Sequence, residues 1–336
     1  MRIAVLSPIA WRTPPRHYGP WELVASNLTE GLVKKGIEAT LFATSDSITK
    51  AKLDAVIEKG YEEDPGQSAK VAECLHISNL MEKASEFDLI HNHFDFLPLT
   101  YSKLITTPMI TTIHGFSSQN IIPVYKKYNS NNSYVSISHS DRSPELNYIA
   151  NIYHGIDTTQ FSFNDQPDDY LLYFGRIHPD KGTAEAIEIA KRSKRRLFIA
   201  GIIQDETYFK EKVEPCFNDN VFYLGSAMSG ERNVLLRNAF ALLHPINFDE
   251  PFGLSVAEAM LCGTPVIAFN RGSMPELIED KKTGFLVNDI DEAVDAVSMI
   301  HIIDRDACHR HAKEKFSLER MVKDYIDVYE QVIYKR

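Results

Sequence analysis

Two glutamates eight residues apart, Glu250 and Glu258, stand in NFDEPFGLSVAEAMLCGTPVIAF, residues 247–269. This stretch reads as a loop, a helix opening near Gly253, a stop at Gly263 and then a buried strand. The helix N-terminus falls between the two carboxylates. Such an end offers backbone N–H groups with no intrahelical partner, which is what holding an anion such as a diphosphate requires. Gly253 allows the backbone to approach a ligand closely. On residue types alone, Glu258 reads equally as a helix-surface residue and Glu250 as a loop charge. A second group lies in YFGRIHPDKG, residues 173–182, where Arg176 and Lys181 follow a predicted strand. A planar guanidinium fork and a point-charge ammonium can together grip a diphosphate. Taken alone, they read as two solvated loop cations. His114 closes TTIHG at the C-terminal end of another predicted strand. A lone histidine in that position is more often structural than catalytic.

These residues need a scaffold, and the sequence has the rhythm of one. Short apolar runs alternate with longer amphipathic stretches, the pattern of a parallel sheet covered on both faces. The first half predicts strands over residues 3–6, 39–43, 89–92, 109–113 and 134–137. The second predicts them over residues 171–174, 197–200, 222–224, 241–243 and 266–269. Between the first two strands, Leu23, Val24, Leu28, Leu32 and Val33 recur at helical spacing, with Gly36 behind them as a C-cap. The polar DTTQFSFNDQPDD, residues 157–169, lacks a helical period and reads as a linker. Beyond Ser317, Leu318, Met321, Val322, Tyr325, Val328, Tyr329 and Val332 fall on one helical stripe. A length of 336 residues suits two domains. The expected division is residues 1–160, residues 161–316 and a closing helix over 317–336. Ligands of open α/β sheets bind outside the C-terminal strand ends, so two such domains facing a central cleft suggest a cleft enzyme.

The composition excludes several classes. A net charge of -10 lacks the basic face of a general nucleic-acid binder. The one basic run, KRSKRR at residues 191–196, reads first as a solvated helix end. An anionic membrane or acceptor patch is its alternative. No apolar run approaches the roughly 18–20 residues that span a bilayer. MRIAVLSPIA reads as a first strand rather than a leader, so a cytoplasmic enzyme is expected, with peripheral contact at the inner membrane face left open by the basic run. Cys74, Cys216, Cys262 and Cys308 have no metal or redox spacing and read as reduced thiols. No GxGxxG follows a predicted strand, which disfavours a dinucleotide-dependent oxidoreductase. HNHFD places His91 and His93 on one face of a strand without a clear third ligand. Asp289/Asp291 and Asp304/Asp306 spell DxD, but each pair precedes a helical pattern and reads as a cap. No metal site is expected.

Glu250 and Glu258 followed by EAMLCGTPVIA resemble the donor-binding segment of family 4 retaining glycosyltransferases, which have the GT-B fold of two Rossmann-like domains. FNRGSMPELI and KTGFLV resemble the family's next segments, and the likeness is strongest over residues 170–287. The resemblance implies transfer of a hexosyl unit from a nucleoside-diphosphate sugar to an acceptor hydroxyl, retaining and independent of a metal or other cofactor. Glu250 would then contact hydroxyls of the transferred sugar and Glu258 the nucleotide ribose. The amides of Phe252, Gly253 and Leu254 would meet sugar and phosphates. Arg176 and Lys181 would neutralise the departing diphosphate in place of a metal. His114 would contact the donor sugar, and His93, at the cleft edge, would serve the acceptor. The family usually carries a glycine pair in the loop after the first strand, whereas here Gly19 is followed by Pro20, which has no N–H to give. Arg16, His17 and Trp21 on that loop suit an acceptor (a sugar, a glycolipid or a small molecule), with loop packing as the equal alternative. Other readings are a nucleotide-sugar epimerase, a sugar phosphorylase, or a sugar-nucleotide-binding protein without turnover.

Overall fold

The computed structural model describes residues 1–116, 118–226 and 229–334. The first sheet holds β1 (Arg2–Leu6), β2 (Glu38–Phe42), β3 (Lys52–Asp54), β4 (Leu89–Asn92), β5 (Met109–Ile113), β6 (Asn132–Ser136) and β7 (Tyr148–Asn151). The second holds β8 (Tyr170–Phe174), β9 (Arg196–Ala200), β10 (Val221–Tyr223), β11 (Ala241–His244), β12 (Val266–Phe269) and β13 (Gly284–Val287). Their spatial orders are β3-β2-β1-β4-β5-β6-β7 and β10-β9-β8-β11-β12-β13. The central pairings β1–β4 and β8–β11 are parallel, as are their neighbours.

β1 shows why these runs form a parallel sheet. Alternate side chains leave opposite faces of a strand. Ile3 and Val5 join Leu41, Leu89 and Ile110 in one core, while Ala4 and Leu6 join Phe42, Ile90 and Ile113 in the other. A strand apolar on both faces needs cover on both faces. Three strands escape the sequence pattern: β3, β7 and β13. All three are sheet edges, where a short strand with weak alternation suffices because only one neighbour pairs with it.

Residues Met1–Gly155 form one unit together with the chain from Leu318 onward, and Ile156–Ser317 form the other. The division falls ahead of the expected 160/161 because the polar segment after Gly155 docks on the second unit. Ile156 N–H donates to the Phe316 carbonyl (2.8 Å), and farther on Asn164 N–H donates to the Cys262 carbonyl (3.1 Å). The closing helix, Leu318–Tyr334, buries Met321, Val322, Tyr325 and Tyr329 in the first unit's core, against helix Pro20–Lys34. The two helices meet closely at Gly31, where an added Cβ would lie 2.2 Å from Val322. Asp289 and Asp304 cap helices, accepting from Glu292 N–H (2.9 Å) and Asp306 N–H (3.0 Å). In the basic run, Arg192 pairs with Asp291 and Arg195 with Asp169, so the helix end is partly neutralised. Among the described residues no helix is long and apolar enough to cross a membrane.

In each sheet the strand order reverses at the middle, between β1 and β4 and between β8 and β11. Connections leave such a point in opposite directions and open a crevice beyond the strand ends. The loops after those four strands carry most of the candidate residues.

Candidate functional site

In the second unit, the loop after β8 brings Arg176 and Lys181, and the loop after β11 brings Glu250. Asn247 ties the two loops together. Its N–H donates to the Asp180 carbonyl (2.7 Å), and its side-chain amide donates to the Pro179 carbonyl (3.1 Å) and to Glu185 (2.7 Å). Gly182 has φ +71, and an added Cβ would lie 1.8 Å from the Pro245 carbonyl oxygen. Only glycine allows so close an approach of two backbones there. A third loop, after β12, clamps Glu250 from the other side. Ser273 N–H donates to the Glu250 carbonyl (2.9 Å), and its hydroxyl donates to the Phe252 carbonyl (2.6 Å).

Lys181 Nζ forms an ion pair with Glu250 Oε2, the two side chains being 14% and 13% exposed. The ammonium also lies 4.6 Å from the centre of the Phe248 ring. His244, the last residue of β11, approaches Glu250 Oε2 to 3.7 Å. Burial lowers its pKa to about 4, so at neutral pH it adds no charge to the pair. Arg176 sits nearer the start of the same loop and donates to Gln204 Oε1. Gly253, with φ +96, opens helix Leu254–Leu261, while Phe252 is buried against Phe316. Leu254 and Ser255 therefore start a helix whose first N–H groups have no intrahelical partner. Glu258 lies one turn into that helix and is buried, its Oε1 paired with Arg232 from helix Ser229–Asn238. Burial raises the Glu258 carboxyl pKa, and Arg232 opposes that shift. Sequence reasoning misses Arg232 and His244. A strand-end histidine beside a switch-point loop is a signal that could have found His244. Nothing in the polar helix around Arg232 marks it.

The first unit gathers histidines beyond its strand ends. His93 Nδ1 and His114 Nε2 are 2.9 Å apart, and His114 Nδ1 lies 3.3 Å from His154 Nε2. His91 hydrogen-bonds to the Tyr329 hydroxyl (2.6 Å) and the Thr112 hydroxyl (2.8 Å), and Thr112 in turn meets the Tyr325 hydroxyl (2.7 Å). The closing helix thus anchors the row of rings from below. Burial lowers His93 and His154 to about 3 and holds His91 and His114 well below the usual histidine range. The rings are neutral at physiological pH, so each ring-to-ring link is an N–H donating to a lone pair, and one ring nitrogen of His91 accepts from a hydroxyl. Trp21 stacks on His114 with ring centres 5.4 Å apart. His93, read from sequence as an edge residue, is fully buried. His91 and His93 stack at 4.0 Å, and among the described residues no group of three or more His, Cys, Asp or Glu is placed to hold a metal ion.

On the loop after β1, Gly19 has φ +148 and caps helix Pro20–Lys34, with Pro20 at the first turn, where a helix needs no N–H. Arg16 pairs with Asp46 (3.1 Å) and Glu63 (2.6 Å), and His17 is exposed. Glu22, which sequence reasoning also passes over, is buried and accepts from Trp11 N–H (3.3 Å). Burial pushes its carboxyl up to about 7. A glutamate three places after a capping glycine was the available signal.

Residues 157–314, nearly the whole second unit, match the family described as Glycosyl transferases group 1. The second unit belongs to this family. An uncharacterized glycosyltransferase of Methanocaldococcus jannaschii is 22% identical over 98% of both chains. A D-inositol 3-phosphate glycosyltransferase of Mycolicibacterium smegmatis is 30% identical over 51% of this chain. That match spans 43% of the relative, and several other curated relatives are likewise matched over less than half their length. Among solved structures, Anabaena HepE in complex with UDP-glucose superposes with a TM-score of 0.75 at 17% identity, covering 98% of this chain and 100% of that one. At that identity the likeness speaks for the fold, which is GT-B. The group 1 match coincides with the unit that carries Lys181, Glu250 and Glu258.

Proposed function

We propose that this group 1 glycosyltransferase moves a hexosyl unit from a nucleoside-diphosphate sugar to an acceptor hydroxyl, with retention and without a metal. The observation that carries this reading is the Lys181–Glu250 pair at the switch point of the second sheet, in the unit that matches the family. In this reading Arg176, Lys181 and the helix end at Gly253 stabilise charge growing on the departing diphosphate. Lys181 turns from Glu250 toward phosphate when donor binds, which frees Glu250 for the sugar hydroxyls. Glu258 receives a ribose hydroxyl. The bond from the anomeric carbon to the phosphate oxygen breaks, and a bond to the acceptor oxygen forms on the same face. The acceptor's proton passes to the departing phosphate. His114, with both ring nitrogens engaged, acts through its backbone, while Trp21 offers its ring and Arg16 and His17 their polar ends to an acceptor. The enzyme's acceptor is a sugar, a glycolipid or a small molecule.

A donor panel tests the proposal, beginning with UDP-glucose, the ligand of Anabaena HepE. One donor should release nucleoside diphosphate faster when an acceptor is present. The rate should be unchanged by EDTA, because Arg176 and Lys181 supply the positive charge. Loss of activity on chelation, restored by Mg2+ or Mn2+, would overturn the metal-independent mechanism.

A further inference from the structure

Glu258 is 2% exposed, yet only its Oε1 meets Arg232. Among the described residues, Glu258 Oε2 and Arg232 Nε are both buried with no hydrogen-bond partner. Buried charged atoms left unpaired are costly, so an arrangement with two of them side by side calls for a ligand that completes both. The unsatisfied pair is one acceptor and one donor. A vicinal diol matches it: one hydroxyl donates to Oε2 while the other oxygen accepts from Nε–H. The guanidinium is further held 5.3 Å from the Phe174 ring and 5.9 Å from the Phe161 ring, so its fork is fixed in direction. We propose that Arg232 is the positioning residue for the nucleoside: it engages Glu258 Oε1, leaves Oε2 for one ribose hydroxyl, and meets the other hydroxyl with its own Nε. This rests on the nucleotide-sugar reading above and adds to it a specificity for ribo- over 2′-deoxynucleotides.

Other groups around Glu258 do not substitute for Arg232. Cys262, which caps the C-terminal end of the same helix, is pushed up to about 12 by burial and by Glu258 and stays neutral, with Arg305, Arg237 and Arg232 opposing that shift. Without Arg232, burial alone would hold the Glu258 carboxyl protonated to higher pH. The ionised form accepts a hydroxyl proton better, so nucleotide affinity would then rise with pH.

The test is calorimetric titration of the intact protein with UDP, GDP and ADP, followed by the 2′-deoxy form of whichever binds tightest. The wild type should bind the deoxy form about tenfold to hundredfold more weakly, with a shallower pH dependence than a variant lacking Arg232. Arg232→Gln should lose that discrimination and bind more tightly as pH rises. Arg232→Lys should restore the shallower pH profile but not the full discrimination, since lysine keeps the charge and loses the fork. Pyrophosphate should bind all variants alike, reporting an intact phosphate site. If Glu258→Gln weakens nucleotide binding but Arg232→Gln matches the wild type in affinity, discrimination and pH profile, the role of Arg232 is overturned and the nucleotide reading stands. If ribo and deoxy forms bind the wild type equally and Glu258→Gln also has no effect, the ribose assignment falls and this inference falls with it.

Discussion

Alanine in place of Lys181 should lower turnover by about two to three orders of magnitude, the loss seen when one charge-stabilising donor is removed from a reacting centre. Lys181 is held by Glu250 and lies over Phe248, so its ammonium is fixed at the mouth of the β8 and β11 loops. Charge on a departing diphosphate grows toward the transition state. A cation there therefore acts more on kcat than on binding. Affinity for the free nucleoside diphosphate, measured by calorimetry, should fall by about tenfold or less. Steady-state rates and that titration together check the claim. A variant that turned over normally, or that changed only KM, would remove Lys181 from the leaving-group role.

Acidification should destabilise the first unit steeply, and the sign follows from its buried groups. His76 is lowered to about 4, His93 and His154 to about 3, and His91 and His114 lie well below 6.5, all by burial. Between pH 6 and 5 these five are neutral when folded and become protonated when unfolded, so their stabilisation is lost as pH falls. The buried Glu22 and the half-buried Asp95 and Asp141 act in the opposite direction. Burial raises Glu22 and Asp141 to about 7 and Asp95 to about 6, so they are protonated when folded and ionised when unfolded. Five against three leaves unfolding taking up about two protons, or about 3 kcal/mol of stability lost over that pH unit. That is a large share of the stability of roughly 5–15 kcal/mol usual for a domain. Both tryptophans, Trp11 and Trp21, belong to the first unit, so urea unfolding followed by their fluorescence reports on it. His154→Asn should reduce the slope by about half. Stability that was flat or rising from pH 6 to 5 would contradict the prediction.

How much of this was legible in the sequence depended on how local each feature is. Lys181, Glu250 and the helix opening at Gly253 stand in short segments whose order along the chain is also their order at the strand ends. The nine central strands announce themselves because burial on both faces demands unbroken apolar runs, whereas β3, β7 and β13, three of the four edges, have weaker demands. The Arg232–Glu258 pair joins two helices 26 positions apart, and no periodicity links them. The histidine row is dispersed in the same way. His91 and His93 lie at the end of β4, His114 follows β5 and His154 follows β7, and only the sheet order gathers them. Burial, invisible in residue types, then decides that they are neutral and bonded to one another. Arg16 is a similar case, since its partners Asp46 and Glu63 come from other loops.

The central claim is same-face transfer from a leaving group held by Arg176, Lys181 and a helix end. Its most direct measurement is proton NMR of the first product formed from an α-linked nucleoside-diphosphate sugar, read from the anomeric coupling before mutarotation. The account predicts an α-linked product. A β-linked product would require a general base on the opposite face of the sugar ring and would contradict both the mechanism and the roles given to Lys181 and Glu250.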